Sequence, residues 1–531
     1  MAPIAAAAPG RTSVKARLRR LEVAALVVLV AGFIGIRLWN LTAFCLDSDE
    51  IFSLLCARYH LGHLLESVRA DVVHPPLFYL LLWVWVKIGG ESMPWLRLLP
   101  FLISILALGP VWIVFRQLRL GAPARIVALA LLAINDYQVF HARYVRMYAL
   151  FFLLSLISVA LYNLLLEGAT RKRVVALTLV NLLLVYTQYF GWMVIGIEGL
   201  HLLWMDRRKL KPFLLGTAVI ALLFAPWAYT ATQAAIAKGG LAPNLGWIRH
   251  PKIGDVWWYY VGCNGPLWPI PVASAMVFFL FGAMAAGLWR VFRAVRTPLE
   301  TSRLRFAALL AFLPPFTAYL VSNVLRNSIW GNRHLIVSAV PYLALLAMGL
   351  VALRPKWLRL IVLSIAAAWG AFGVYRVTLY PELRNNMDVL TGQLIELNAR
   401  AGPPSGAPTV EFLDPYLAFP INYYLESHYH QKWNLVTVAG VDQISGDRVW
   451  VGYNRKSWKQ ARSPEDLLRA RGYQIGPGVW AGDRWDRIAI FLACGAGSQP
   501  GVPSGPGLSG RASATTHHQT VTNPPQSKTS N

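Results

Sequence analysis

The stretch RLRRLEVAALVVLVAGFIGIRLWNLTAFCLDSDE, residues 17–50, decides how the fold is read. Arg17, Arg19 and Arg20, with Arg11 and Lys15 before them, precede an apolar run from Leu21 to Trp39. A helix of about twenty apolar residues crosses the hydrocarbon core of a bilayer. The run resembles the start of a secretory signal, yet no small-residue cleavage site follows it. It therefore reads as a retained signal anchor, with the basic residues 1–20 in the cytoplasm. The chain emerges on the far side at Asn40 and there meets Asp47, Asp49 and Glu50.

The remainder of the chain has the same character. Of its 531 residues, 56% are hydrophobic and only 14% charged, whereas a soluble domain carries about a quarter. Mean hydropathy is +0.46. A soluble globular protein is excluded, and an α-helical polytopic membrane protein is expected. The 50 Lys+Arg against 25 Asp+Glu give a net charge of +25. In a soluble chain that balance would suggest nucleic acid; here the charges punctuate apolar runs, so no nucleic-acid partner is expected.

Basic clusters at Arg116 to Arg125, Arg171 to Arg173, Arg207 to Lys211, Arg290 to Arg305 and Arg354 to Arg359 separate these runs. The positive-inside rule places all five in the cytoplasm. About eleven spans follow, near 21–38, 95–115, 124–139, 147–166, 174–189, 191–205, 212–230, 269–290, 304–323, 334–353 and 357–376. Leu77 to Ile88, after His74-Pro75-Pro76, is about a dozen residues long and reads as a juxtamembrane helix, with Trp83 and Trp85 suited to the headgroup layer. A true crossing there would move every later cluster outside.

In this topology three polar patches share the outer face. The first outer loop, 40–94, carries Asp47, Asp49, Glu50, Glu66, Asp71 and His74; a second patch carries Asp136, His141, Arg143 and Arg146; a third carries Arg326, Arg333 and His334. Carboxylates and cations at one membrane face suit sugar transfer from a lipid-linked donor. A carboxylate can deprotonate an acceptor hydroxyl, and a cation can hold the donor phosphate.

Leu46-Asp-Ser-Asp-Glu50, Asp71-Val-Val-His-Pro-Pro-Leu-Phe-Tyr79, Arg97-Leu-Leu-Pro100, Arg143-Tyr-Val-Arg-Met-Tyr-Ala149 and Asn332-Arg-His-Leu335 resemble, in that order, motifs of the lipid-phosphosugar-dependent glycosyltransferases of the C-type fold. That superfamily includes the protein O-mannosyltransferases and the lipid A aminoarabinose transferases, and its bacterial branch builds lipopolysaccharide cores and other envelope glycans. The resemblance spans roughly residues 20–375 and implies an inverting transferase using a polyprenyl-phosphate sugar, with an envelope lipid, glycan or protein as acceptor. It implies Asp49 as general base, with Glu50 orienting it or joining it to hold a divalent metal ion. It also implies His74, Arg146 and Arg333 at the donor phosphate, supported by Asp71, Tyr148 and His334. Tyr144 stands where a Glu is expected, which leaves Asp71 or Asp136 to supply any second acid. The setting implied is a bacterial inner membrane.

Plainer readings compete at several positions. Asp47 to Glu50 is also a good helix N-cap with acids at the positive dipole end. Arg97 reads as an interfacial anchor whose head reaches the lipid headgroups. Glu198 and His201 lie one turn apart within a span; a proton relay would suit a transporter, but a neutral Glu bonded to His201 or to a neighbouring helix is favoured. Gly246 to His250 and Trp257 to Tyr260 suit either interfacial anchoring or stacking on sugar rings. Cys45, Cys56, Cys263 and Cys494 all fall outside, with a Cys45 to Cys56 bridge or four free thiols both open.

After residue 380 the composition becomes that of a soluble domain. A helix over Asp388 to Ala399 and a linker at Pro403 to Gly406 lead into strand-like runs at Thr409 to Leu413, Trp433 to Ala439, Arg448 to Tyr453 and Arg487 to Ala493, alternating with helices. Residues 380–495 thus form a small extracytoplasmic α/β domain for acceptor binding or stability, appended to a membrane domain over 21–379. Residues 496–531 have the composition of a disordered tail. Two other functions stay open: a lipid-linked glycan flippase or transporter, and a glycan polymerase or ligase using a lipid-diphosphate donor.

Overall fold

The computed structural model describes residues 10–241, 245–246, 248–266, 269–294, 297–379, 386–402, 406–455, 457–481 and 487–495. Trp247, residues 403–405 and the tail beyond 495 lie outside them. The chain divides into two compact units, 1–381 and 382–531.

The first unit is helical: α1 (Gly10–Leu38), α2 (Ser48–Arg58), α3 (Leu61–Asp71), α4 (Leu77–Gly89), α5 (Met93–Leu106), α6 (Leu108–Gln117), α7 (Ala122–Ala133), α8 (Asp136–His141), α9 (Tyr148–Glu167), α10 (Arg171–Thr187), α11 (Gly191–Met205) and α12 (Arg207–Ala237). After these come α13 (Ile253–Asn264), α14 (Ile270–Ala294), α15 (Pro298–Val324), a 3-10 turn over Asn332–Ser338, α16 (Ala339–Ala352) and α17 (Lys356–Leu379). It is an integral membrane protein. Among the described residues, eight segments are long and apolar enough to cross a bilayer: Arg19–Leu38, Met93–Gln117, Tyr148–Glu167, Arg207–Ala237, Ile270–Ala294, Pro298–Val324, Asn332–Ala352 and Lys356–Arg376. The other three of the eleven expected spans are shorter helices, α7, α10 and α11, of 12, 17 and 15 residues. Polar residues bound them: Asn135 caps α8 straight after α7, which ends six residues short of its expected span, and Gln188 ends α10 before α11 begins at Gly191. Helix α4 has 13 residues and covers about 20 Å, the same length class as α7 and α11.

Burial orders the bundle. Only 11% of the most apolar window of Arg19–Leu38 is buried, against 83% in Asn332–Ala352, so α1 faces lipid while the 3-10 turn and α16 run through the centre. Where α14 crosses α16, a Cβ on Gly287 would sit 1.8 Å from the Gly349 carbonyl oxygen. Two glycines let the backbones touch, as small residues do between membrane helices.

Three buried arginines tie the helix ends together. Arg37 donates to the carbonyls of Ala133 (3.3 Å) and Leu132 (3.3 Å) at the end of α7. Arg143 donates to those of Arg37 (3.1 Å), Trp39 (2.7 Å) and Ile36 at the end of α1. Arg97 donates to the Arg143 carbonyl (3.0 Å), to Phe44 and Cys45 (both 3.2 Å) and to Glu50 Oε2 (3.2 Å). Helix C-termini leave carbonyls without intrahelical donors, and a guanidinium supplies several at once. The anchor reading of Arg97 is therefore wrong. Its side chain is 1% exposed, because carbonyls beneath the surface satisfy its head better than headgroups would.

Glu198 also proves structural. Ser158 Oγ lies 2.7 Å from Glu198 Oε1 and 2.6 Å from Asn181 Oδ1, while Asn181 Nδ2 donates to Glu198 Oε2 at 2.8 Å. The ring has three bonds, but serine has one hydroxyl hydrogen, so the carboxyl must donate the third. His201 bonds instead to the Tyr162 hydroxyl at 2.6 Å. The ring pins α9, α10 and α11. Glu198→Gln, which can repeat the donor and acceptor, is expected to change stability by less than about 1 kcal/mol, and Glu198→Ala, which strands two buried partners, to cost about 2–4 kcal/mol. Thermal unfolding in detergent checks both.

No disulfide joins Cys45, Cys56, Cys263 or Cys494, so Cys45 and Cys56 are not bridged. Burial pushes the Cys56 thiol up to about 12, which makes it inert.

The second unit holds α18 (Met387–Arg400), β1 (Thr409–Phe412), α19 (Pro415–Ser427), β2 (Asn434–Thr437), β3 (Arg448–Asn454), α20 (Pro464–Ala470), β4 (Gln474–Ala481) and β5 (Ile488–Cys494). The sheet order is β2-β1-β3-β5-β4, with β2-β1-β3 parallel and β5 antiparallel to β3 and β4. Val449, Val451, Phe491 and Ala493 line one buried face. Strand β4 is absent from the sequence expectation because Gly476-Pro477-Gly478 breaks its alternation. Pro477 is tolerated on this edge strand, where the register shifts between Ile475 and Gly478.

Candidate active site

The site is built on the start of α2. Asp47 Oδ1 accepts the Glu50 N–H at 3.1 Å and Glu50 Oε2 accepts the Asp47 N–H at 3.2 Å, a reciprocal capping box. Glu50 is fully buried, and its Oε1 accepts the Val145 N–H at 2.9 Å while Oε2 also meets Arg97. The N-cap reading thus holds for Asp47 and Glu50. Asp49, the residue between them that the cap does not need, is left facing outward.

Asp49 Oδ2 accepts Arg333 Nη1 at 2.6 Å and lies 3.4 Å from the Tyr144 hydroxyl, which also donates to Asp47 Oδ2 at 2.6 Å. Arg333 comes from the 3-10 turn, 284 residues away. Tyr137 and Tyr259 hold that turn by donating to the carbonyls of Asn332 (2.6 Å) and Leu335 (2.8 Å). The Asp49 and Arg333 side chains keep 36% and 30% of their accessible surface, so the pair is half-buried and still reachable from outside the bundle core. Burial pushes the Asp49 carboxyl up, but Arg146 and Arg333 more than offset it and hold it below the usual carboxylate range.

Arg146 lies beneath this pair. Its Nη1 donates to the Asp49 carbonyl (3.2 Å), Ser53 Oγ (3.2 Å) and the Tyr79 hydroxyl (3.0 Å). Its Nε and the Tyr148 hydroxyl are both buried, and the Tyr148 hydroxyl lies close enough to Arg146 to interact with its guanidinium. Tyr148 stacks near Tyr144 at 6.0 Å, and the Arg333 guanidinium lies 5.9 Å from its ring. Asp71, at the end of α3, lies within electrostatic reach of Arg146 and Asp49; burial raises its carboxyl above the usual range despite Arg146, and Asp49 adds to the rise. The two acids are thus driven apart, Asp49 down and Asp71 up.

His74 and His334 complete the cluster, their ring centroids 5.8 Å apart. Burial, then the cations Arg146 and Arg333 together with His334, push His74 well below the usual imidazole range. Both rings are neighbours of Gln188 Nε2.

The fold therefore gathers Asp49, Arg146, Arg333, Tyr148, His74, His334 and Asp71. Glu50 is turned into the frame instead of toward Asp49. Asp136 stands elsewhere, beside Gly373 and the N–H of Tyr137. With Glu50 committed, the Asp49 and Glu50 pair offers no chelate, and among the described residues no group of three His, Cys, Asp or Glu side chains gathers to hold a metal ion. Sequence reading passed over Tyr79, Ser53 and Gln188. Tyr79 lies inside a quoted motif; Gln188 is detectable only as a polar residue in a break between two apolar runs.

No family model matches the chain, and no curated protein matches it. Among solved structures, ArnT from Cupriavidus metallidurans bound to undecaprenyl phosphate is similar, at 14% identity and TM-score 0.47 over 88% of this chain and 97% of that one. The same protein in the apo state gives 15% identity and TM-score 0.47, over 90% and 98%. At these scores the likeness assigns no site, donor or acceptor, and the functional reading rests on the residues themselves.

Proposed function

We propose that this protein is an inverting membrane glycosyltransferase that moves a sugar from a polyprenyl-phosphate donor to a hydroxyl of an envelope lipid, glycan or protein. The observation that carries the reading is Asp49: a half-buried carboxylate, held ionised at 2.6 Å from Arg333 with Arg146 beneath it. A base and two cations held side by side are what the chemistry needs. Asp49 takes the acceptor proton, the oxygen attacks the anomeric carbon, and the bond from that carbon to the phosphate oxygen breaks. Polyprenyl phosphate leaves with the electron pair, facing Arg146, Arg333 and His74. One displacement inverts the anomeric centre. Arg146 and the neighbouring Tyr148 hydroxyl face the place where the phosphate or the sugar would sit. In this reading the protein sits in a bacterial inner membrane, its N-terminus cytoplasmic and the site and C-terminal unit outside.

The test uses purified protein in detergent with radiolabelled polyprenyl-phosphate and polyprenyl-diphosphate sugars and envelope acceptors, the product anomer being assigned by NMR. Transfer from a monophosphate donor with inversion is expected. Transfer from diphosphate donors alone would replace this reading with a polymerase or ligase. No transfer, with faster passage of lipid-linked sugar across vesicle bilayers, would replace it with a carrier.

A further inference from the structure

The Gln188 side chain bridges two histidines from distant segments. Its Nε2 lies 3.0 Å from His334 Nδ1 and 3.4 Å from His74 Nδ1. Its Oε1 accepts the Tyr189 N–H at 2.8 Å, which fixes the amide orientation: the NH2 group must face the rings. An amide nitrogen carries two hydrogens and cannot accept, so each Nδ1 is an acceptor. A neutral imidazole with an accepting Nδ1 carries its proton on Nε2. All three side chains are buried, so water is a poor competitor for these bonds. The backbone supports the same arrangement. Gln188 is extended at the end of α10, and at Gly191 a Cβ would lie 3.0 Å from the Leu184 carbonyl carbon, so this tight turn sets where the amide points. At Gly331, a Cβ would lie 2.6 Å from His334 Cδ2, so the 3-10 turn brings that ring in against bare backbone.

The charges around the pair are Arg146 from the segment between α8 and α9, Arg333 from the 3-10 turn and Asp49 from α2. Two guanidiniums disfavour adding a further positive charge at His74. Neither Nε2 makes a hydrogen bond among the described residues.

We infer that Gln188 is a positioning residue that locks His74 and His334 in the Nε2–H tautomer, so that two neutral N–H donors join Arg146 and Arg333 around the donor phosphate. This rests on the transferase reading and extends it to a residue that touches no substrate. Gln188 supplies directional bonds without adding charge, which lets the phosphate be held on several sides while Asp49 stays close enough to act as base. A glutamate at 188 would reverse the bonding, since a carboxylate must accept and would draw a proton onto Nδ1.

The test reads the tautomers directly. Protein labelled with 15N-histidine is measured by NMR, the two rings being assigned by signal loss in His74→Gln and His334→Gln, and farnesyl phosphate is titrated in as the probe. Both rings are expected to be protonated on Nε2 alone, with both Nε2 signals moving as farnesyl phosphate binds. Gln188→Glu is expected to move a proton to Nδ1 of at least one ring, to weaken farnesyl phosphate about ten- to a hundredfold, as for loss of a hydrogen bond to a charged group, and to make its binding pH-dependent near neutrality. Nδ1 protonation of either wild-type ring would overturn the inference, a result that needs no folded variant. Farnesyl phosphate binding that leaves both Nε2 signals unmoved would also overturn it, while leaving the transferase reading intact. Nε2–H rings in a protein that binds no farnesyl phosphate would overturn both.

Discussion

Asp49→Asn is expected to fold and bind donor as the wild type does and to lose sugar transfer by about 10²–10⁴-fold in kcat, the range of a general base. The amide can still accept from Arg333, so the site stays assembled, and removing a negative charge beside Arg146 and Arg333 does not raise the donor KM. Thermal unfolding and donor titration beside the transfer assay check this. The pH dependence has a definite sign. Arg146 and Arg333 outweigh burial and lower the Asp49 carboxyl from its ordinary 3.8, so the base form persists through the neutral and mildly acidic range. Wild-type transfer should show no loss from this group until pH falls below that ordinary value. The same shift makes a stability contribution that is present above the unfolded value and lost as pH falls through the lowered one.

Arg97→Ala is expected to cost about 3–5 kcal/mol of stability, the range for removing one partner of a buried ion pair. Glu50 would be left fully buried without its counter-charge, and the carbonyls of Phe44, Cys45 and Arg143 would lose a donor. In detergent this variant should unfold at a markedly lower temperature or fail to accumulate. A residue that merely reached lipid headgroups would tolerate alanine with little change, so the experiment separates the two roles of Arg97. Because Glu50 also anchors Val145, one residue from Arg146, any folded fraction should bind donor more weakly as well.

How legible was this in the sequence? The membrane class follows from composition, and the long spans from apolar runs bounded by arginine clusters, because lipid imposes both rules on local sequence. Helix α7 was overextended because hydropathy does not register a cap such as Asn135, whereas α11 has its expected bounds, Gly191–Met205. Candidate residues could be named from motif order, but not their roles. Asp47, Asp49 and Glu50 are three acids within four positions, and only packing separates the two that form the cap from the one that faces Arg333. Arg97, Arg143 and Arg146 look alike on the page; two tie helix ends together, and the third lies beneath the carboxylate. Contacts across hundreds of residues, such as Asp49 with Arg333 or Gln188 with His74 and His334, have no local signature. Strand β4 was hidden for a different reason, since an edge position tolerates the Gly and Pro that erase a strand pattern.

The most direct test of the central claim is a single turnover in which wild type and Asp49→Asn are both preloaded with labelled polyprenyl-phosphate sugar and then mixed with acceptor. Preloading removes donor binding from the comparison. Wild type should pass its label to acceptor in one exponential phase, while Asp49→Asn keeps it as intact donor over the same time. Equal transfer by the two proteins would contradict the assignment of Asp49 as the base on which this account rests.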